Sequence, residues 1–123
     1  MGELGDGTTA NSNVPRQVVG LPTGISAVAA GCHHTCALAP SVSAFCWGRN
    51  SSGQLGDGTT TGRTIAGSVD KLESTAAISA GREHTCALTA AGKVHCWGGN
   101  DLGQLGDGTF VETHTPTPIS RER

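Results

Sequence analysis

Tyrosine is absent from this chain of 123 residues, which holds only two Phe and two Trp. A core built on stacked aromatic rings is excluded, because those rings supply the largest buried areas per residue. An excess of positive charge is lacking as well, since eight Lys and Arg stand against ten Asp and Glu for a formal net charge of -2. Nucleic-acid binding modules carry clustered cations and a high pI, so no nucleic acid is expected as a partner. Nowhere do about 20 apolar residues follow one another, as a membrane-spanning helix requires, so no membrane partner is expected. A charged leader followed by an apolar stretch is also missing, and with it any signal peptide in this chain. Met1-Gly2 opens like a myristoylation signal, which requires Ser or Thr at the sixth position; Asp6 stands there and rules that reading out.

Glycine is what the chain has in plenty, 19 residues of it, together with five Pro. Short segments punctuated by such residues predict an all-β array joined by tight turns. The punctuation repeats. CWGRNSSGQLGDGT from Cys46 returns as CWGGNDLGQLGDGT from Cys96, and HTCAL at 34–38 returns at 84–88, each with an offset of fifty residues. A third copy, GELGDGTT, runs from Gly2 to Thr9, and Gly2 lies 51 residues before Gly53. The sequence therefore divides into a partial repeat over 1–31 (signature turn, outer strand and first inner strand), a unit over 32–81, and a second unit over 82–123 with a truncated end. Copied units bury their apolar faces only against neighbours, and about three or more are usual for stability. The chain thus reads as a piece of a longer array, with function on a shared surface.

Within a unit, Ile25 to Ala30 and Ala76 to Ala80 are small apolar runs, as expected of a strand enclosed on both sides. Gly31 and Gly81 end them, and second strands follow at His34 to Leu38 and His84 to Leu88. Third strands are predicted over Ala44 to Gly48 and Val94 to Gly98. Between the second and third strands of the later unit, Thr89 and Lys93 close the three-residue loop Ala90-Ala91-Gly92, in which Gly92 supplies the left-handed residue such hairpins want. That register sets Leu88 against Val94 and Cys86 against Cys96, and by the same count Cys36 against Cys46. The earlier loop, Pro40-Ser41-Val42, has no glycine. A long turn follows each third strand, with Asp57-Gly58 and Asp107-Gly108 as turn formers. Weaker extended segments, Val14 to Leu21 and Ile65 to Leu72, come next. Fifty residues and four strands per unit predict two four-stranded antiparallel blades of an incomplete β-propeller ring.

The order HTCAL, V-x-CWG-x-N, GQLGDGT resembles the repeat of the regulator of chromosome condensation family along nearly the whole chain. The resemblance implies a seven-bladed propeller, of which about two blades are present. It also implies functions that differ among members. The founding eukaryotic member promotes nucleotide exchange on a small GTPase with one face and binds histones with the other, using insertions that this chain does not have. Plant ultraviolet photoreceptors of this fold place Trp-Arg before the His-Thr, where Cys32-His33 and Arg82-Glu83 stand here, so photoreception is not implied. A bacterial member that inhibits β-lactamases has motif residues not recognisable here.

Four of the five cysteines, Cys36, Cys46, Cys86 and Cys96, fall in two cross-strand pairs at positions close enough for disulfides. Such pairs favour an oxidising compartment, extracellular or periplasmic. Cys32 is the odd thiol. The run Cys32-His33-His34-Thr35-Cys36 carries zinc-type ligands, but the second unit has Arg82-Glu83 in place of Cys32-His33, so packed, hydrogen-bonded His34 and His84 are expected and no metal. Each Asp-Gly-Thr turn offers one carboxylate, too few for calcium. Trp47 and Trp97 are expected to pack blade on blade. No nucleophile with a matched base is present, so neither catalysis nor a cofactor is expected. The expected function is a protein-binding and structural module whose loops, Cys32-His33 and Arg82-Glu83, break the repeat while the frame keeps it. The alternative implied by the family is a fragment of a guanine-nucleotide exchange factor. Another protein is the expected partner, with self-association through open blade edges as a further expectation.

Overall fold

The computed structural model describes residues 2–39, 43–69, 72, 75–100, 105–106 and 111–118. Strands β1 (Ala27–Ala30), β2 (His34–Ala39), β3 (Ser43–Gly48) and β4 (Arg63–Ser68) form one antiparallel sheet in chain order. Strands β5 (Thr75–Ala80), β6 (His84–Thr89), β7 (Val94–Gly98) and β8 (Thr113–Pro118) form the other. The two four-stranded antiparallel sheets are those the repeat predicts.

Turn chemistry sets the registers. Gly92 takes φ of 85°, Thr89 N donates to Lys93 O at 2.8 Å, and Gly92 N donates to Thr89 O at 2.9 Å. Leu88 then faces Val94 and Cys86 faces Cys96, as Cys36 faces Cys46 in the first sheet. Pro40-Ser41-Val42 lies outside the described residues.

Two expectations about strands need correction. The fourth strand of the first sheet runs over Arg63–Ser68 where Ile65 to Leu72 was expected, and no strand forms over Val14 to Leu21. An outer strand exists only by pairing, and the sequence before residue 27 contains no copy of β3 for that segment to join. Instead Val19 N donates to Gly5 O at 2.7 Å and Ala66 N to Val19 O at 2.9 Å, laying the segment across the first sheet. There Val18, Leu21 and Ile25 pack on Ala37, Trp47 and Ala66. The first strands, expected to be enclosed on both sides, are half-buried or exposed along their length apart from buried Thr75, and Val28 is 66% accessible. Each meets the neighbouring sheet on one face at most, and its small side chains do not reach further.

The main core lies between the sheets. Cys36, Ala44 and Cys46 of the first sheet meet Ala87 and Trp97 of the second, with Leu55, Val69 and Leu72 from the connecting segments filling in. Stacking makes equivalent positions unlike. Leu38 and Ala44 are buried at 2% and 0%, while their copies Leu88 and Val94, on the uncovered face of the second sheet, are 38% and 37% accessible.

Candidate functional site

The turns after β3 and β7 are built on a residue type that the sequence reading passed over. Asn50, 1% accessible, donates through Nδ2 to Thr59 O and Thr61 O at 3.0 Å and to Asp57 Oδ1 at 3.2 Å. Its Oδ1 accepts from Leu55 N at 2.9 Å. One buried amide thus closes a loop with no regular structure of its own, satisfying backbone groups that burial would otherwise leave unpaired. Asn100 repeats the arrangement, donating to Val111 O at 2.9 Å and accepting from Leu105 N at 3.0 Å. Identity at the fifty-residue spacing inside CWG-x-N was the signal that could have found them.

Asp57 completes the turn. Its Oδ1 accepts from Thr59 N at 3.0 Å and Thr59 Oγ1 at 2.7 Å, and its Oδ2 accepts from Arg63 Nε at 3.0 Å. Burial acts to raise its pKa, but the hydrogen bonds from Thr59, Arg63 and Asn50 outweigh it and hold the carboxyl below its ordinary value. Asp6 does the same with Thr8 in the first signature turn, at 3.0 and 2.8 Å, and is also lowered, chiefly by the Thr8 hydroxyl. Both carboxylates serve the turn. Asp107 lies outside the described residues.

The turn of one unit caps the indole of the next. Gln54 O accepts from Trp97 Nε1 and from Thr85 Oγ1, both at 2.9 Å, and Glu3 O accepts from Trp47 Nε1 at 2.8 Å and Thr35 Oγ1 at 3.1 Å. Gly56 lies so close over Trp97 that a Cβ there would come within 2.6 Å of Nε1. Because the Thr85 hydroxyl proton goes to Gln54, the 2.9 Å contact between Thr85 Oγ1 and His34 Nε2 has the imidazole as donor. Nε2 of His34 therefore carries a proton. Burial, and then the neighbouring His84, push its pKa down to about 4. Burial likewise lowers His84.

Both cross-strand pairs are disulfides, Cys36–Cys46 and Cys86–Cys96, each with Cα atoms 4.1 Å apart. Each closes a short loop, worth about 2–3 kcal/mol in the chain-entropy account. Cys32 is free and exposed. With Cys36 bonded to Cys46, the zinc-type run keeps no second thiol beside Cys32. Alkylation without reductant is expected to label Cys32 alone, read by mass; label on Cys86 or Cys96 overturns the pairing.

The loop residues gather at one end of the sheets. Cys32, His33 and Arg82 are exposed and Glu83 is half-buried. The two loops adjoin, since a Cβ on Gly31 would fall 2.5 Å from Gly81 O. His33 Nδ1 lies 3.4 Å from Glu3 Oε2, and His33 O accepts from Arg49 N at 2.9 Å. Glu83 O accepts from Gly99 N at 2.7 Å. Each loop is thereby tied to the residue that follows the third strand of its own sheet. Among the described residues no three His, Cys, Asp or Glu side chains gather as a metal site would need.

The regulator of chromosome condensation (RCC1) repeat model matches residues 1–38, 43–88 and 91–123, and a second model of the same repeat matches 25–54 and 76–104. The chain belongs to this repeat family. Its fold is similar to Prp20p from Saccharomyces cerevisiae, at TM-score 0.82 and 20% identity over 98% of this chain and 32% of that one. Yeast RCC1 (Prp20) bound to Kap60 gives TM-score 0.82 and 21% identity over 98% and 31%. Human WBSCR16 gives 0.76 and 20% over 98% and 34%. The RCC1-repeat chain thus spans about a third of each of these propellers.

Proposed function

We propose that this RCC1-repeat segment is a protein-binding and structural module whose contact surface is the loop end bearing Cys32, His33, Arg82 and Glu83. The observation that supports this reading is the adjacency of those two loops, which differ in chemistry between units while the residues beneath them, His-Thr-Cys-Ala-Leu and Cys-Trp-Gly, do not. A rigid frame that varies only at its loops is the usual way a repeat protein diversifies a binding surface. Prp20p is described by its binding to Gsp1p and histones, a protein-binding use of the same fold. Two disulfides fit an oxidising compartment such as the periplasm or the extracellular space. The repeat frame 1–31, 32–81 and 82–123 is proposed as the unit of organisation.

Cys32 provides the test, because it is the one thiol outside the disulfides. A photo-crosslinker on Cys32 is expected to join the chain to one protein of the native extract, and Arg82→Ala with Glu83→Ala to abolish that adduct while leaving the circular dichroism spectrum intact. An adduct that persists in the double variant overturns the assignment. The fold likeness to Prp20p, described by its binding to Gsp1p, favours a second reading, a fragment of an exchange factor for a small GTPase. Accelerated release of a fluorescent guanine nucleotide from such a GTPase would decide for it.

A further inference from the structure

A cavity of about 530 Å³ opens between the first signature turn and the turn after β3, walled by Thr9, Arg49, Ser51, Thr60, Arg63 and Thr64. Among the described residues the Arg49 guanidinium engages only Ser51 Oγ through Nε at 2.9 Å, and that of Arg63 only Asp57 through Nε at 3.0 Å. In both, the Nη donors, the prongs of the fork, have no partner among the described residues. A fork with its prongs free is matched in shape by a carboxylate, which takes two parallel N–H bonds.

Arg63 is also given room. A Cβ at Gly67 would collide with its guanidinium, so the missing side chain lets Arg63 lie across β4. The second unit has Thr113 and Thr117 at these two places, so the cation and the space it occupies disappear together. The other positions change sign as well. Arg49 corresponds to Gly99, Ser51 to Asp101 and Gly62 to Glu112. A frame copied residue for residue at Asn50, Gln54 and Asp57 carries two cations around the first turn, where its copy carries two additional acids.

We propose that this cavity is a binding site for an acidic peptide segment of a protein partner, with Arg49 and Arg63 each gripping a carboxylate and the Ser51, Thr60 and Thr64 hydroxyls satisfying its backbone. The volume falls in the range of sites that enclose a small ligand or a few side chains. With a net charge of -2 the chain lacks the clustered cations that a phosphate backbone requires, so recognition rests on the two local forks, which a short peptide presenting carboxylates matches. The assignment deepens the protein-binding reading and rests on it, since Arg49 N is bonded to His33 O and the cavity therefore adjoins the proposed loop surface.

Fluorescence anisotropy with a labelled hexaglutamate peptide tests it on the whole oxidised chain. Arg49→Gly and Arg63→Thr, the residues of the second unit, are each expected to weaken binding at least about tenfold, and the pair to abolish it. Arg49→Lys keeps the charge but loses the fork, and is expected to recover only part of the affinity. Lys93→Ala, at an exposed cation in the turn between β6 and β7, is expected to change nothing. Thermal melts identify any variant that fails to fold, in which case Arg49→Lys carries the result. Equal binding by the double variant, or tighter binding of a hexathymidylate oligonucleotide at the same salt, overturns the proposal. Because the Cys32 cross-link depends on Arg82 and Glu83, an intact adduct beside absent peptide binding removes the cavity and leaves the module standing. An absent adduct beside Arg-dependent peptide binding does the reverse.

Discussion

Trp97→Ala is expected to cost about 3–5 kcal/mol of unfolding free energy, the usual range for deleting a buried indole. The ring is 0% accessible and lies in the cluster formed by Cys36, Cys46 and Leu55, so its removal opens the seam between the sheets. Gln54 O loses one of its two donors but keeps Thr85 Oγ1, so the cost is chiefly a cavity and not an orphaned carbonyl. Against a typical domain stability of about 5–15 kcal/mol, such a loss brings the fold near its limit. The same experiment includes an internal comparison. Leu38→Ala, at 2% accessibility, is expected to cost about 2–5 kcal/mol, whereas Leu88→Ala, at 38%, is expected to cost less than about 1 kcal/mol although the two leucines are copies of one position. Urea unfolding followed by circular dichroism measures all three. Equal costs at Leu38 and Leu88 contradict the stacking of the two sheets.

That comparison also marks how far the sequence could be read. Hydrophobic pattern, the glycine at Gly92 and the cysteine spacing were enough for strands β2, β3, β6 and β7 and for their registers, because those contacts are local and each unit restates them. Burial was not legible in the same way. A strand copied faithfully is enclosed in one unit and half-open in the next, according to whether another sheet follows, and no residue within the unit records which. The outer strand of the first sheet was misplaced because it opens on Arg63-Thr64-Ile65, which carries little apolar alternation; pairing with β3 defines it, not propensity. Cys32, His33, Arg82 and Glu83 are visible in the sequence as breaks in the repeat. The cavity beside them is not, since Thr9 and Arg63 are far apart in sequence and meet only when the first signature turn packs over β4. Asn50 and Asn100 were in plain view as repeated letters, but their role depends on which carbonyls the turn brings within reach.

Stability is expected to fall as pH drops from 7 to 4, and His34 is the residue that accounts for most of it. In the unfolded chain its imidazole titrates near 6.5, while in the fold burial and then the nearby His84 hold it down to about 4. Between those values the unfolded state binds a proton that the folded state refuses, so each pH unit of acidification favours unfolding by about 1.4 kcal/mol, and the whole window by about 3 kcal/mol. The contribution is fully present above pH 6.5 and lost on the way down to pH 4. His84, also lowered by burial, adds a part in the same direction. The Asp57 carboxyl acts lower, because its folded value lies below 3.8 and its contribution fades only beneath the histidine window. His34→Gln separates these sources, since an amide nitrogen in place of Nε2 can still donate to Thr85 Oγ1 but takes no proton. Urea unfolding at several pH values is expected to show the variant weaker than the parent at pH 7 yet with a much flatter decline toward pH 4. An unchanged slope in the variant means that His34 is solvated in solution, and with it the seam between the sheets is open.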